Sequence, residues 1–124
     1  TYYYVGDINL FAGSLINESS STFYHDRLDG YNEQPQITIG GDEGNETSNA
    51  NLIFKNAEFN NNSMISIKTD GTLTISQYCK LINNDFIENY GTIDGTIVNS
   101  DKGTIVGKGD ETNSETPAEP DGTQ

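Results

Sequence analysis

The sequence predicts an all-β protein whose short strands stack as a β-solenoid, and three observations favour this class. Apolar residues alternate with polar ones in short runs and nowhere keep a helical period. Residues 51–71 and 72–91 resemble two tandem copies of one unit. Hydrophobic residues make up only 32% of the chain, beside 13 glycines, which suits a thin core. A β-sandwich or jelly roll, which also uses short strands, is the alternative.

The tandem units share apolar positions, paired asparagines and a closing glycine. The apolar pairs that lie 21 residues apart are Leu52 and Leu73, Phe54 and Ile75, and Ile65 and Phe86. The other recurrences are Asn61-Asn62 with Asn83-Asn84 at 22 residues and Gly71 with Gly91 at 20 residues. One such coil cannot cover its own apolar face, so we expect equivalent side chains to lie over one another in neighbouring coils.

The chain opens with a tyrosine-rich segment that predicts a strand. Tyr2 and Tyr4 are expected on one face of this strand and Tyr3 on the other, because strand side chains alternate. Gly6-Asp7 then predicts a turn into a second strand. Tyr2, Tyr3 and Tyr4 are candidate ligand-binding residues, since sugars pack on aromatic faces, and half-buried strand residues are the alternative interpretation.

Residues 1–107 are expected to form a single β domain. The strand at Ile37 lies only 15 residues before Leu52 and falls out of step with the repeat. We therefore assign residues 1–36 to N-terminal strands or a cap, and residues 37–107 to solenoid coils.

Charge and composition exclude several classes of function. The formal charge of −13 leaves no cationic footprint for nucleic acid, and no apolar run is long enough for membrane insertion. The single cysteine, Cys79, excludes an intrachain disulfide and predicts a small buried side chain. Residues 108–124 lack aromatic and β-branched aliphatic side chains, which predicts a disordered acidic tail or linker.

Polar loops suggest two further kinds of site. Oxygen ligands for calcium are available at Asp42, Glu43, Asn45 and Glu46, although their spacing does not match an EF-hand. A solvated acidic loop is the alternative, and no other cofactor is expected. Acceptor sequons place candidate glycosylation at Asn17, Asn45 and Asn61.

The run NLIFKNAEFNNNS…ISIKTDGTLTIS…CKLINNDFIENYGTI resembles the repeats of right-handed parallel β-helix surface proteins, which are adhesin-like and pectate-lyase-like exported chains. The likeness covers residues 37–107. Enzymes of this fold use clustered aspartates or calcium beside a basic residue. The resemblance therefore draws attention to Asp85 and Asp94 as acids and to Lys80 and Lys102 as bases.

The resemblance implies an exported, non-catalytic structural or adhesive domain, at the cell surface or outside the cell, that contacts glycan or protein partners. A start at Thr1 rather than at a methionine fits a processed exported product or an excised domain. The alternatives are a self-assembling filament subunit that uses strand addition, and a fragment of a calcium-assisted polysaccharide-degrading enzyme. The cluster His25-Asp26-Arg27 is expected to be a solvated loop.

Overall fold

The computed structural model describes residues 1–41 and 49–115, and every regular element in these ranges is a β-strand. No helix in this part of the chain has the length and apolar character needed to cross a membrane. The strands are β1 (Tyr2–Tyr4), β2 (Ile8–Leu10), β3 (Ser14–Asn17), β4 (Phe23–His25), β5 (Gln36–Ile39), β6 (Ala50–Phe54), β7 (Phe59–Asn61), β8 (Met64–Ile67), β9 (Gly71–Ile75), β10 (Leu81–Asn83), β11 (Phe86–Asn89), β12 (Thr92–Asn99), β13 (Thr104–Val106) and β14 (Asp110–Glu115).

All strand pairs are parallel, and the chain passes through three strands before it returns beside an earlier one. The first row is β1-β4-β7-β10, the second is β2-β5-β8-β11-β13, and the third is β3-β6-β9-β12. Each set of three successive strands is called a rung here. The long strand β12 pairs with β9 at one end and with β10 at the other, which joins the first and third rows into one sheet.

The register confirms most of the sequence repeat. Leu52 pairs with Leu73 in parallel strands, as predicted. The predicted match of Ile65 with Phe86 is wrong, because Ile65 pairs with Ile87. The connection before β10, residues 76–80, is one residue longer than the equivalent connection before β7, residues 55–58, so the spacing is 22 from there on and Ile87 rather than Phe86 points inward.

The strand at Ile37 belongs to the second row, whereas Leu52 belongs to the third. Ile37 pairs with Ile8 before it and with Ile65 after it. The spacing of 15 residues therefore compared two different rows. Strands β1 to β4 continue the same three rows, so residues 1–36 pair in the manner of the later strands.

Strand β14 shows that part of the predicted disordered tail forms regular structure. Residues 110–115 pair with β12, and the backbone N–H of Asp110 donates to the carbonyl of Gly91 at 2.9 Å. Backbone hydrogen bonds extend a parallel sheet without apolar side chains, which is why composition alone missed this strand. Residues 116–124 lie outside the described part of the chain.

The core is a column of aliphatic and aromatic side chains enclosed by the three rows. Its fully buried members include Ile37, Leu52, Phe59, Ile65, Leu73, Leu81, Ile87, Ile93 and Ile97. Phe54 and Phe59 stack with ring centroids 4.3 Å apart. Cys79 is buried against this column, as predicted.

The recurrence of Gly71 and Gly91 follows from close packing between rungs. A Cβ on Gly91 would overlap the carbonyl oxygen of Gly71, and a Cβ on Gly71 would overlap that of Ile39. Neither glycine has a positive φ, so the requirement is space rather than a left-handed backbone. Only glycine lets neighbouring rungs approach this closely at these corners.

Leu73→Ala is expected to lower the free energy of unfolding by about 2–5 kcal/mol, because it opens a cavity in the fully buried column. Ile53→Ala is the matched control, since Ile53 lies on the outward side of β6 and pairs with Thr74. Its expected cost is below about 1 kcal/mol. Urea denaturation measures both variants. Equal losses would contradict the assigned inward and outward faces.

Candidate functional site

A ladder of buried polar side chains runs along the ends of the first-row strands. His25, Asn61, Asn83 and Asn99 occupy equivalent positions in successive rungs. The Nδ2 group of Asn61 donates to Oδ1 of Asn83 at 2.9 Å, and that of Asn83 donates to Oδ1 of Asn99 at 2.9 Å. Asn61 and Asn83 therefore donate toward the later rung, and Asn83 and Asn99 accept from the earlier one, whereas Nδ2 of Asn99 donates to the carbonyl of Gly103 in the bend after β12.

Each ladder amide also fixes the bend that follows its strand. Oδ1 of Asn61 accepts from the backbone N–H of Ser63, and Nδ2 of Asn61 donates to the carbonyl of Ser63. Asn83 repeats both bonds with Asp85. Asparagine suits these positions because one side chain supplies a donor and an acceptor to the same bend.

A second, outer ladder lies one residue further on. Nδ2 of Asn84 donates to Oδ1 of Asn62 at 2.9 Å, and Nδ2 of Asn62 donates to Oδ1 of Asp26 at 2.8 Å. Arg27 forms an ion pair with Asp85 across the same surface. The expected solvated loop at residues 25–27 is thus wrong for His25, which is fully buried at the end of β4.

The tyrosines of β1 stack on the next rung. Tyr2 lies 5.6 Å from Phe23 and Tyr3 lies 4.9 Å from Tyr24, with nearly parallel rings in both pairs. Tyr4 packs against Phe23 on the same side as Tyr2, which confirms the predicted alternation. Stacking uses one face of each ring, and among the described strands none lies on the other side of β1 from β4.

An apolar cavity of about 470 Å³ opens beside these rings at the N-terminal end of the stack. Its lining residues are Thr1, Tyr2, Ile8, Leu15, Ile16, Asn17, Ser19, Ser21, Phe23 and Phe54. Each strand of the first rung pairs with only one other strand among the described residues. The cavity and the ring of Tyr2, which lines it, therefore form one surface, which we call the N-terminal end and take as the candidate site. Tyr3 lies on the other face of β1 and does not line the cavity.

The sequence did not single out Leu15 and Ile16 for this surface. Both are about half exposed in β3, beside the aromatic Phe23 of the second rung. An available signal was the match of Phe23-Tyr24-His25 with Phe59-Asn60-Asn61, which pair residue for residue. That match places an aromatic residue two positions before a ladder position in both rungs.

The calcium and glycosylation predictions concern other residues. The calcium candidates Asp42, Glu43, Asn45 and Glu46, and with them the sequon at Asn45, lie outside the described residues. Across residues 1–41 and 49–115, no three His, Cys, Asp or Glu side chains group as metal ligands would. Asn17 ends β3 half exposed, and its Oδ1 accepts from the backbone N–H of Ser19.

The predicted glycan on Asn61 does not fit the structure, because the Asn61 side chain is buried. Its side chain is fully buried, and its Nδ2 donates to the carbonyl of Ser63 and to Oδ1 of Asn83. A glycan attached at this nitrogen would displace both bonds and would have no space inside the ladder. The sequence pattern could not reveal this, because Asn61 and Asn62 look alike in the chain.

The acids suggested by the resemblance have separate surroundings. Asp85 pairs with Arg27 at the bend before β11, whereas Asp94 lies within β12, opposite Thr74 of β9. Burial raises the pKa of the Cys79 thiol, and a hydrogen bond with the backbone of Ala57 opposes part of that rise. A thiol with a raised pKa is a poor nucleophile.

Comparison of the chain with protein-family models, curated proteins and solved structures finds no match.

Asn83→Ala is expected to lower the free energy of unfolding by about 2–5 kcal/mol, because it leaves buried partners in Asn61 and Asn99 without their bonds. Asn84→Ala is the matched control from the outer, half-exposed ladder and is expected to cost about 1 kcal/mol. Chemical denaturation of both variants provides the measurement. If the Asn83 and Asn84 variants have equal free energies of unfolding, the inner ladder stabilises the fold no more than the outer one does.

Proposed function

We propose that the rungs form a parallel β-helix and that the chain serves as an exported, non-catalytic structural and adhesive domain, at the cell surface or outside the cell. The observation that carries this proposal is the constant register of the first row. Phe23, Phe59 and Leu81 follow one another at one position, and the ladder residues follow one another two positions later. Repetition of this kind favours a rigid rod that holds its surfaces at fixed distances.

The outward side chains support a role in presentation. Thr72 and Thr92 lie side by side on the third row, and Thr74 lies beside Asp94. These short polar side chains alternate with the buried column, so the row offers water or a partner a regular polar face. The high negative charge keeps such a surface soluble and favours neutral or cationic partners over anionic ones.

We place the contact with a glycan at the N-terminal end. The ring of Tyr2, which is 55% exposed and lines the cavity, offers a sugar ring an apolar platform. The hydroxyls of Ser19 and Ser21 and the carboxamide of Asn17 lie at the rim of the cavity and supply hydrogen-bonding groups. An apolar floor with a few polar groups at its edge is typical of small-ligand sites.

Tyr2→Ala is expected to weaken glycan binding about tenfold, since a lost aromatic platform is worth on the order of 1–2 kcal/mol. The measurement is binding of the purified protein to a panel of neutral and acidic oligosaccharides, followed by titration of the best ligand. Tyr78→Ala is the matched control, because Tyr78 is 85% exposed and does not line the cavity. No binding by the intact protein, or equal losses in both variants, would overturn the proposed contact.

The unpaired strand edges favour self-assembly as a second candidate function. Within the described residues, β2 has one neighbour at the N-terminal end and β13 has one at the other. Such edges accept a further strand through backbone hydrogen bonds. Leu15, about half exposed beside the cavity, would be covered by an added rung.

If copies stack end to end, the sedimentation coefficient should rise with protein concentration and rise further in salt, which screens the charge of −13. Leu15→Lys is expected to abolish that rise by placing an ammonium group at the joint. Leu28→Lys is the control with the same change of charge, since Leu28 is exposed away from this cavity. A monomer at all concentrations and salt levels would remove this candidate.

A further inference from the structure

One position of the third row can be followed through every rung of the stack. It is occupied in turn by Leu15, Leu52, Leu73 and Ile93, and then by Glu111 of β14, each of which pairs with the next. Leu52, Leu73 and Ile93 are almost fully buried, whereas Leu15 is 47% exposed. The apolar column therefore begins at this position with an uncovered leucine and ends with an exposed carboxylate.

The first row shows the same contrast between its ends. Tyr2 begins the position that Ile97 occupies in β12, and Tyr2 is about half exposed while Ile97 is fully buried. Strand β14 runs along the side of β12 that faces away from β9 and β10. No described strand covers β1 or β3 in this way. In these two rows the core is therefore closed at one end and open at the other.

Charge also distinguishes the two ends. Residues 2–17, which form the first rung, contain one of the 19 acidic residues of the chain, Asp7, and no lysine or arginine. The opposite end carries Asp110 and Glu111, and both side chains are exposed. A carboxylate placed against the exposed Leu15 would lose water and gain no polar partner, which is unfavourable. The N-terminal end therefore fits a surface of its own kind better than it fits the opposite end of another copy.

We propose that the N-terminal end is the interface of a symmetric dimer, in which two copies meet head to head about a two-fold axis perpendicular to the stack. This inference rests on the second candidate function, self-assembly, and specifies its partner and geometry. In such an interface one patch faces its own copy, so apolar side chains cover apolar side chains. Because β14 covers the opposite ends of the first and third rows, assembly stops at two copies.

Exposed apolar side chains are concentrated in the first rung, as is typical of an interface. Six of the eleven large hydrophobic side chains that are exposed in the described part of the chain belong to this rung: Tyr2, Tyr3, Val5, Phe11, Leu15 and Ile16. The second copy covers the apolar cavity of about 470 Å³ and the ring of Tyr2 that lines it. A glycan bound in this cavity would therefore compete with the second copy.

The first test is the mass of the intact protein at rising concentration, measured by sedimentation equilibrium in salt that screens the charge of −13. The proposal expects the mass to rise and to level off at twice the monomer mass. A monomer at every concentration would overturn both this inference and the second candidate function. Growth beyond two copies would overturn this inference alone and would leave self-assembly standing.

Charged variants at Leu15 distinguish head-to-head contact from head-to-tail contact. Leu15→Lys and Leu15→Glu should each weaken the dimer about tenfold or more, because the two-fold axis brings like charges together. An equimolar mixture of the two variants should dimerise more tightly than either variant alone, since an ammonium group then faces a carboxylate. In head-to-tail stacking, Leu15→Lys would meet Glu111 and associate more strongly than wild type. That result, or no gain on mixing, would contradict the proposal.

The matched controls are Leu28→Lys and Leu28→Glu, since Leu28 is exposed and does not line the cavity. Both are expected to dimerise as wild type does, and losses equal to those of the Leu15 variants would contradict the assigned interface. Urea denaturation checks that the Leu15 variants fold. If they do not, the mass at which the wild-type protein levels off still decides between a dimer, a longer assembly and a monomer.

Discussion

Buried amides that hydrogen-bond along the row are the constraint on which this structure depends. Asn61 and Asn83 each donate to the amide of the next rung, and Asn83 and Asn99 each accept from the amide of the earlier one. A slip of one residue in β10 would move Asn83 out of the ladder and bring Ile82 or Asn84 into its place. The ladder therefore specifies register, whereas the aliphatic column supplies most of the driving force through burial.

The ladder hydrogen bonds all run in one direction, so the two ends of the ladder differ in their chemistry. Because every amide accepts from the earlier rung, the row must begin with a donor, and His25 fills that position. Above it, Tyr2 and Tyr3 present ring faces and the cavity exposes part of the column, since no described strand covers them. The candidate site is thus a consequence of where the stack ends, and it combines apolar surface with the polar groups of Asn17, Ser19 and Ser21.

Sequence patterns revealed the parts of the fold that repeat at constant spacing. The sequence pairs Leu52 with Leu73, and Asn61 with Asn83, because the bends between their strands are short and similar in length. The predicted match of Ile65 with Phe86 is wrong by one residue, because a single extra residue in a bend reverses which side chain points inward. His25 was missed because a long connection precedes β5 and because histidine replaced the amide. Strand β14 was missed because backbone pairing leaves no mark in side-chain composition.

The central claim is that equivalent residues of successive rungs lie directly over one another in parallel strands. Nuclear Overhauser effects between methyl groups of the intact protein test it most directly. Strong contacts are predicted between Leu52 and Leu73, and between Ile65 and Ile87, with none of comparable strength between antiparallel partners. Contacts that reverse direction along either pair of strands, as in a β-sandwich, would contradict the account.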